Sequence, residues 1–116
     1  MKKFLYIVSG CAFLISCESR TYEEISDNTP LPEVVKYNTD VKSIVDNNCI
    51  VCHSPTGAAS FKPFTTYNDV KNNIDGIIDR IERPNGDPGK MPQGGSLSNS
   101  QINVFIKWKA DGLMEN

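Results

Sequence analysis

With 116 residues, of which 12 are basic and 14 acidic, the chain has room for one small domain and carries a formal charge of −2. A mildly acidic chain with no cluster of lysine and arginine is not a nucleic-acid binder. Four cysteines and a single histidine are the residues whose number constrains the chemistry most.

Residues 1–16 read as an export signal. Lys2 and Lys3 supply a positive start, and Phe4 to Ile15 form an apolar stretch broken only by Ser9 and Gly10, too short to span a bilayer comfortably. The stretch ends in Leu14-Ile15-Ser16-Cys17, which resembles the lipobox of bacterial lipoproteins. That resemblance implies cleavage before Cys17, diacylation of its thiol, and a protein exported and lipid-anchored to a membrane on the periplasmic or cell-envelope side. An ordinary signal peptide, or an uncleaved anchor with a chance cysteine, is the competing reading. Removal of residues 1–16 discards Cys11 and leaves 10 basic against 14 acidic residues. Cys49 and Cys52 are then the thiols of the folded part.

Residues 17–36 are polar and irregular, with Pro30 and Pro32, and are expected to form a flexible tether. Fully stretched, such a segment reaches roughly 65–70 Å. From Tyr37 the pattern becomes helical. Asn38 or Thr39 is placed to cap a short helix with Val41, Ile44 and Val45 on one face, running into Cys49. A loop rich in Ser, Pro, Gly and Ala follows, from Ser54 to Pro63. Thr66 and Asp69 then have capping-box spacing, and Val70, Ile74, Ile77, Ile78 and Ile81 form an apolar stripe. Gly76 is the expected break in this stretch and Pro84 its end.

Residues 85–96 hold four glycines and two prolines and are expected to be loop. Ser98 and Gln101 make a second capping box. It opens a helix with Ile102, Phe105 and Ile106 facing inward, Val104 and Trp108 on an adjoining stripe, and Gly112 at its end. No segment alternates with period two, so residues 37–116 are expected to form one all-α domain. A domain of about 75 residues built from short helices has little core of its own, and a bound apolar macrocycle would supply interior.

Cys49-Ile50-Val51-Cys52-His53 is the signature of covalent c-type haem attachment. Two thiols three positions apart can each add to a vinyl group of one porphyrin, with the next residue held beneath the iron. A zinc site needs three or four protein ligands, a thioredoxin-like pair needs a βαβ setting, and a plain disulfide leaves His53 unexplained. Because His53 is the only histidine, a second imidazole ligand from the same chain is excluded. Met91 and Met114 are the methionines left after processing.

On this motif the chain resembles the class I cytochrome c superfamily. The resemblance extends to Tyr37-Asn38-Thr39-Asp40-Val41-Lys42-Ser43-Ile44, to Met91-Pro92-Gln93-Gly94-Gly95-Ser96-Leu97-Ser98, and to Gln101, Ile102, Trp108 and Gly112. These are similar to the short monohaem, planctomycete-type domains and cover about residues 37–112. Ser54, where that group usually has Gly, and Lys109, where an apolar residue is common, depart from the pattern.

The resemblance implies three to five short helices around one covalent haem c. Cys49 and Cys52 would form the thioethers, with His53 as proximal and Met91 as distal iron ligand, and the last helix would pack against the one preceding the motif. Met91 packed on the haem edge, with five-coordinate iron, is the competing arrangement. Arg80, Arg83 and Tyr67 are weaker candidates to bind a propionate, and Trp108 is read as core. The function implied is single-electron transfer without substrate chemistry, between transient protein donors and acceptors, near a membrane. A haem enzyme or gas sensor is the alternative, and a subunit docked in a fixed complex is a second.

Overall fold

The computed structural model describes residues 30–116, and the expected export signal, Cys17 and most of the tether lie outside the described residues. A π turn over Tyr37–Val41 leads into α1 (Lys42–Asn48), followed by α2 (Tyr67–Asn72), α3 (Ile74–Glu82) and α4 (Asn99–Ala110). Among the described residues there is no strand, as the lack of period-two alternation predicts.

The first helical segment starts differently from the expectation. Neither Asn38 nor Thr39 caps it; the Asp40 carboxylate reaches back to accept the Lys36 N–H at 2.8 Å and the Thr39 hydroxyl at 2.8 Å. Asn38 is engaged elsewhere, its backbone N–H on the Glu115 carbonyl and its side chain on Asn116. The apolar face is as read, with Val41, Ile44 and Val45 buried. Burial begins before Tyr37: Val35 is fully buried and donates its N–H to Asp111 at 2.8 Å, so the fold takes in the last residues assigned to the tether.

At α2 the capping box forms in both directions, Asp69 N–H to Thr66 Oγ1 at 3.2 Å and Thr66 N–H to Asp69 Oδ2 at 2.9 Å. Val70, Ile74, Ile77 and Ile81 are buried and Ile78 is half-buried. The break falls at Asn73, not at Gly76, which lies inside α3. Asn73 leaves helical geometry (φ −112°, ψ 9°) and donates its side-chain amide to the Asp69 carbonyl at 2.8 Å. Short amides compete with the backbone in this way, and one glycine is a smaller perturbation inside a helix anchored by four apolar residues. The helix stops at Glu82, before Pro84.

The Ser98–Gln101 box opens α4, which buries Phe105 and Trp108. Ile106 points outward instead of in, because the inward stripe runs through Phe105 and Trp108. The helix ends in a Schellman motif, with Leu113 N–H on the Trp108 carbonyl at 2.9 Å, Gly112 N–H on the Lys109 carbonyl at 3.2 Å, and Gly112 at φ +91°. Lys109 bridges to Asp75 of α3 at 2.6 Å across the surface, giving that polar residue a partner; exposed pairs of this kind contribute at most about 1 kcal/mol.

The C-terminal tail is not frayed. The Met114 carbonyl accepts Tyr37 N–H at 2.9 Å and Trp108 Nε1–H at 2.8 Å, and the Leu113 carbonyl accepts the Tyr67 hydroxyl at 2.7 Å. The rings of Tyr37, Tyr67 and Trp108 lie 5.5–6.2 Å apart, centroid to centroid. Aromatic pairs at such distances add about 0.5–1.5 kcal/mol each beyond area burial. All four helices and the π turn feed one apolar cluster, and this cluster is the platform for the residues singled out by the sequence.

Candidate functional site

The turn that carries the two thiols is an extension of α1. Cys49 N–H closes the helix on the Val45 carbonyl at 2.8 Å, and the Cys49 carbonyl accepts both Cys52 N–H (3.2 Å) and His53 N–H (2.9 Å). This brings Cys49, Cys52 and His53 onto one tight turn. The turn is locked from outside by residue 57. A Cβ on Gly57 would lie 2.2 Å from the Cys52 carbonyl oxygen, which itself accepts the Ala59 N–H at 2.9 Å. Only glycine allows that approach.

The orientation of His53 comes from residues that its motif does not contain. Its Nδ1 lies 2.7 Å from the Lys62 carbonyl oxygen. A carbonyl can only accept, so Nδ1 carries the hydrogen, and in the neutral ring Nε2 keeps its lone pair. The ring stacks on Phe64 at 4.3 Å between centroids and 21° between planes, and Phe64 N–H returns to the His53 carbonyl at 2.8 Å. Lys62 and Phe64 were not legible as site residues. Every residue offers a carbonyl, and nothing local marks that of Lys62.

Both cysteines are free thiols. Burial pushes the Cys49 thiol up to about 11, so it is protonated at neutral pH, whereas Cys52 is exposed. A redox-active Cys-x-x-Cys pair stabilises a thiolate instead. Among the described residues no group of three or more His, Cys, Asp and Glu side chains is gathered to hold a metal ion. Val51, between the two thiols, is 80% exposed, and Phe61, in the loop that follows, is 86% exposed.

Met91 approaches from the other end of the chain. It is half-buried and packs against the same apolar cluster as Cys49 and Ile50. Its N–H donates to the Arg80 carbonyl at 3.0 Å, which ties the loop to the last turn of α3. Arg80 Nη1 donates to the Gly89 carbonyl at 3.1 Å, and Arg83 bonds Asp79 and Asp87. The Gly89 N–H and the Arg83 guanidinium hold the Asp87 carboxyl below its ordinary value. Tyr67 is bound to Leu113, so the three weaker candidates each have a partner within the chain. Met114 is 43% exposed, and it is its backbone carbonyl, not its sulfur, that the fold engages. A hollow of about 660 Å³ forms an open dish in residues 85–96, and Cys49, Cys52, His53 and Met91 do not line it.

Comparison with known protein families, characterised proteins and solved structures finds no match.

Proposed function

We propose that the chain is a monohaem c-type cytochrome domain that carries single electrons, in a cytochrome c-like arrangement of its four helices. The observation that carries the reading is the His53 imidazole, fixed through Nδ1 by the Lys62 carbonyl so that Nε2 is the free donor, directly after two thiols on one turn. The residues fit the group: the two thiols are uncommitted, one nitrogen lone pair is available, and the apolar side chains of Val51, between the thiols, and Phe61, in the next loop, are uncovered. Cys49 and Cys52 would hold the haem through thioethers, and His53 and Met91 would be its iron ligands. When bound, the haem supplies a one-electron iron couple, whose potential a thioether ligand raises relative to a second imidazole.

The chain's own residues do the rest. Lys62 and Phe64 hold the imidazole against rotation, and a metal-ligating histidine anchored through its other nitrogen is the more basic donor. Met91, brought by its loop, would close the distal position to dioxygen and peroxide. Transfer between partners needs only small, short-lived contacts, at or below about 1,200 Å². The export signal and lipidated Cys17 read from the sequence would keep the domain beside membrane redox partners, and two or more acyl chains make such anchoring stable.

The test is a visible spectrum of protein matured by export, oxidised and reduced, after denaturing extraction of any loose haem. Covalent haem at one per chain, low-spin in both states, with a methionine–iron charge-transfer band that disappears in Met91→Ala, is the expected result. High-spin reduced haem that binds carbon monoxide rapidly would move the assignment to an enzyme or sensor. No covalent haem in a correctly exported chain would end the reading.

A further inference from the structure

Residues 85–96 carry Met91 on a loop with little reason to keep one shape, since each of its four glycines raises the entropy lost on ordering. Residues 87–91 are nevertheless fastened to the end of α3 by bonds in both directions. Met91 N–H donates to the Arg80 carbonyl, Arg80 Nη1 to the Gly89 carbonyl, and Lys90 Nζ to the carbonyls of Ile81 and Arg83. One carboxylate joins the two sides. Asp87 Oδ1 accepts Gly89 N–H at 2.6 Å from the loop and Arg83 Nη1 at 3.2 Å from the helix end. Both side chains of that pair are about two-thirds shielded from solvent, so the interaction is less screened than an ordinary surface bridge. The backbone passes so close to the arginines that a Cβ on Gly89 would lie 2.2 Å from Arg83 Nη1 and 2.6 Å from Arg80 Nη1.

We propose that Asp87 and Arg83 are positioning residues for Met91, a latch that fastens the loop to α3 and so sets the fraction of molecules in which the thioether is held at the iron. The inference rests on Met91 being the distal ligand. A competing ligand measures that fraction directly, because its apparent affinity scales with the population in which methionine has left.

The experiment is an imidazole titration of the haem-loaded oxidised protein, followed by loss of the methionine–iron band, in the parent, Asp87→Ala, Asp87→Asn and Lys42→Ala. Loss of one charge-assisted contact is expected to tighten imidazole binding by roughly three- to tenfold in Asp87→Ala. Asp87→Asn, whose amide oxygen still accepts Gly89 N–H, falls between it and the parent. Lys42→Ala, which breaks an exposed pair on α1, leaves the affinity unchanged. Thermal unfolding followed at the helices stays near that of the parent, which separates a loosened ligand loop from a weakened fold. Equal imidazole affinity in parent and Asp87→Ala overturns the latch; if Asp87→Ala does not fold, equal affinity in Asp87→Asn does so. A parent without the methionine–iron band instead overturns the distal assignment, and this inference with it.

Discussion

The two ends of this domain are built in opposite ways. On one side the π turn, α2, α4 and the C-terminal tail form a seam of packed rings, with Tyr37, Tyr67 and Trp108 each donating a hydrogen bond to a tail carbonyl. On the other, the thiol turn and the Met91 loop have no regular secondary structure beyond turns and are held by backbone and side-chain hydrogen bonds to the ends of α1 and α3. The seam brings together residues more than 70 positions apart, as Val35 to Asp111 shows. The site is assembled from shorter excursions, His53 to Lys62 and Arg80 to Gly89. Site residues on loops, set by a rigid scaffold, are a common division of labour. Here the thiol turn and the Met91 loop have hydrogen bonds of their own, while Cys49 and Met91 also rest on the apolar cluster.

The sharpest way to break the comparison is at the seam. Trp108→Ala removes a fully buried ring and the donor to the Met114 carbonyl, and is expected to cost about 3–5 kcal/mol. Thermal unfolding followed by far-UV circular dichroism should remain one transition at a lower temperature, whereas two transitions would mean that the helices do not unfold as one unit. Gly57→Ala acts at the other end. Its Cβ must displace the Cys52 backbone, with an expected cost of about 1–3 kcal/mol, a lower melting temperature and, on the proposed function, a lower yield of haem-loaded protein. An unchanged yield would show that the turn tolerates a different path.

The smallest effect is one of pH. Val35 N–H and the Lys107 ammonium hold the Asp111 carboxyl below its ordinary value. Folded Asp111 therefore binds a proton less readily than the unfolded chain does. Its contribution is complete above the unfolded value, about 4, and is lost as pH falls through the lower folded value. Asp111→Asn should thus be less stable than the parent at neutral pH, with the gap narrowing on acidification. A gap that stays constant across the acid range would mean that Asp111 titrates as in the unfolded chain.

Much of the scaffold was legible because its signals are local. Thr66 with Asp69, Ser98 with Gln101 and the stripe from Val70 to Ile81 each depend on neighbours within one or two helical turns, and the structure forms them as read. The misreadings are places where a side chain had a choice. Neither Asn38 nor Thr39 caps the first helical segment: Asn38 is bound across the chain to Asn116, and the Asp40 carboxylate takes the Lys36 N–H. Asn73 rather than Gly76 broke the helix pair because its amide found the Asp69 carbonyl. Ile106 turned outward because α4 seats Phe105 and Trp108, and one helical face cannot hold all three.

The amino-acid sequence by itself determined the all-helical character, the spacing of Cys49, Cys52 and His53, and the scarcity of any other imidazole. Only the tertiary structure decided which His53 nitrogen is free, through the carbonyl of Lys62, and how the Met91 loop is fastened, through Arg80, Arg83 and Asp87. The reason is physical: helix formers and caps act over one turn of chain, whereas a backbone carbonyl is the same group in every residue, and its role follows from where the folded path carries it.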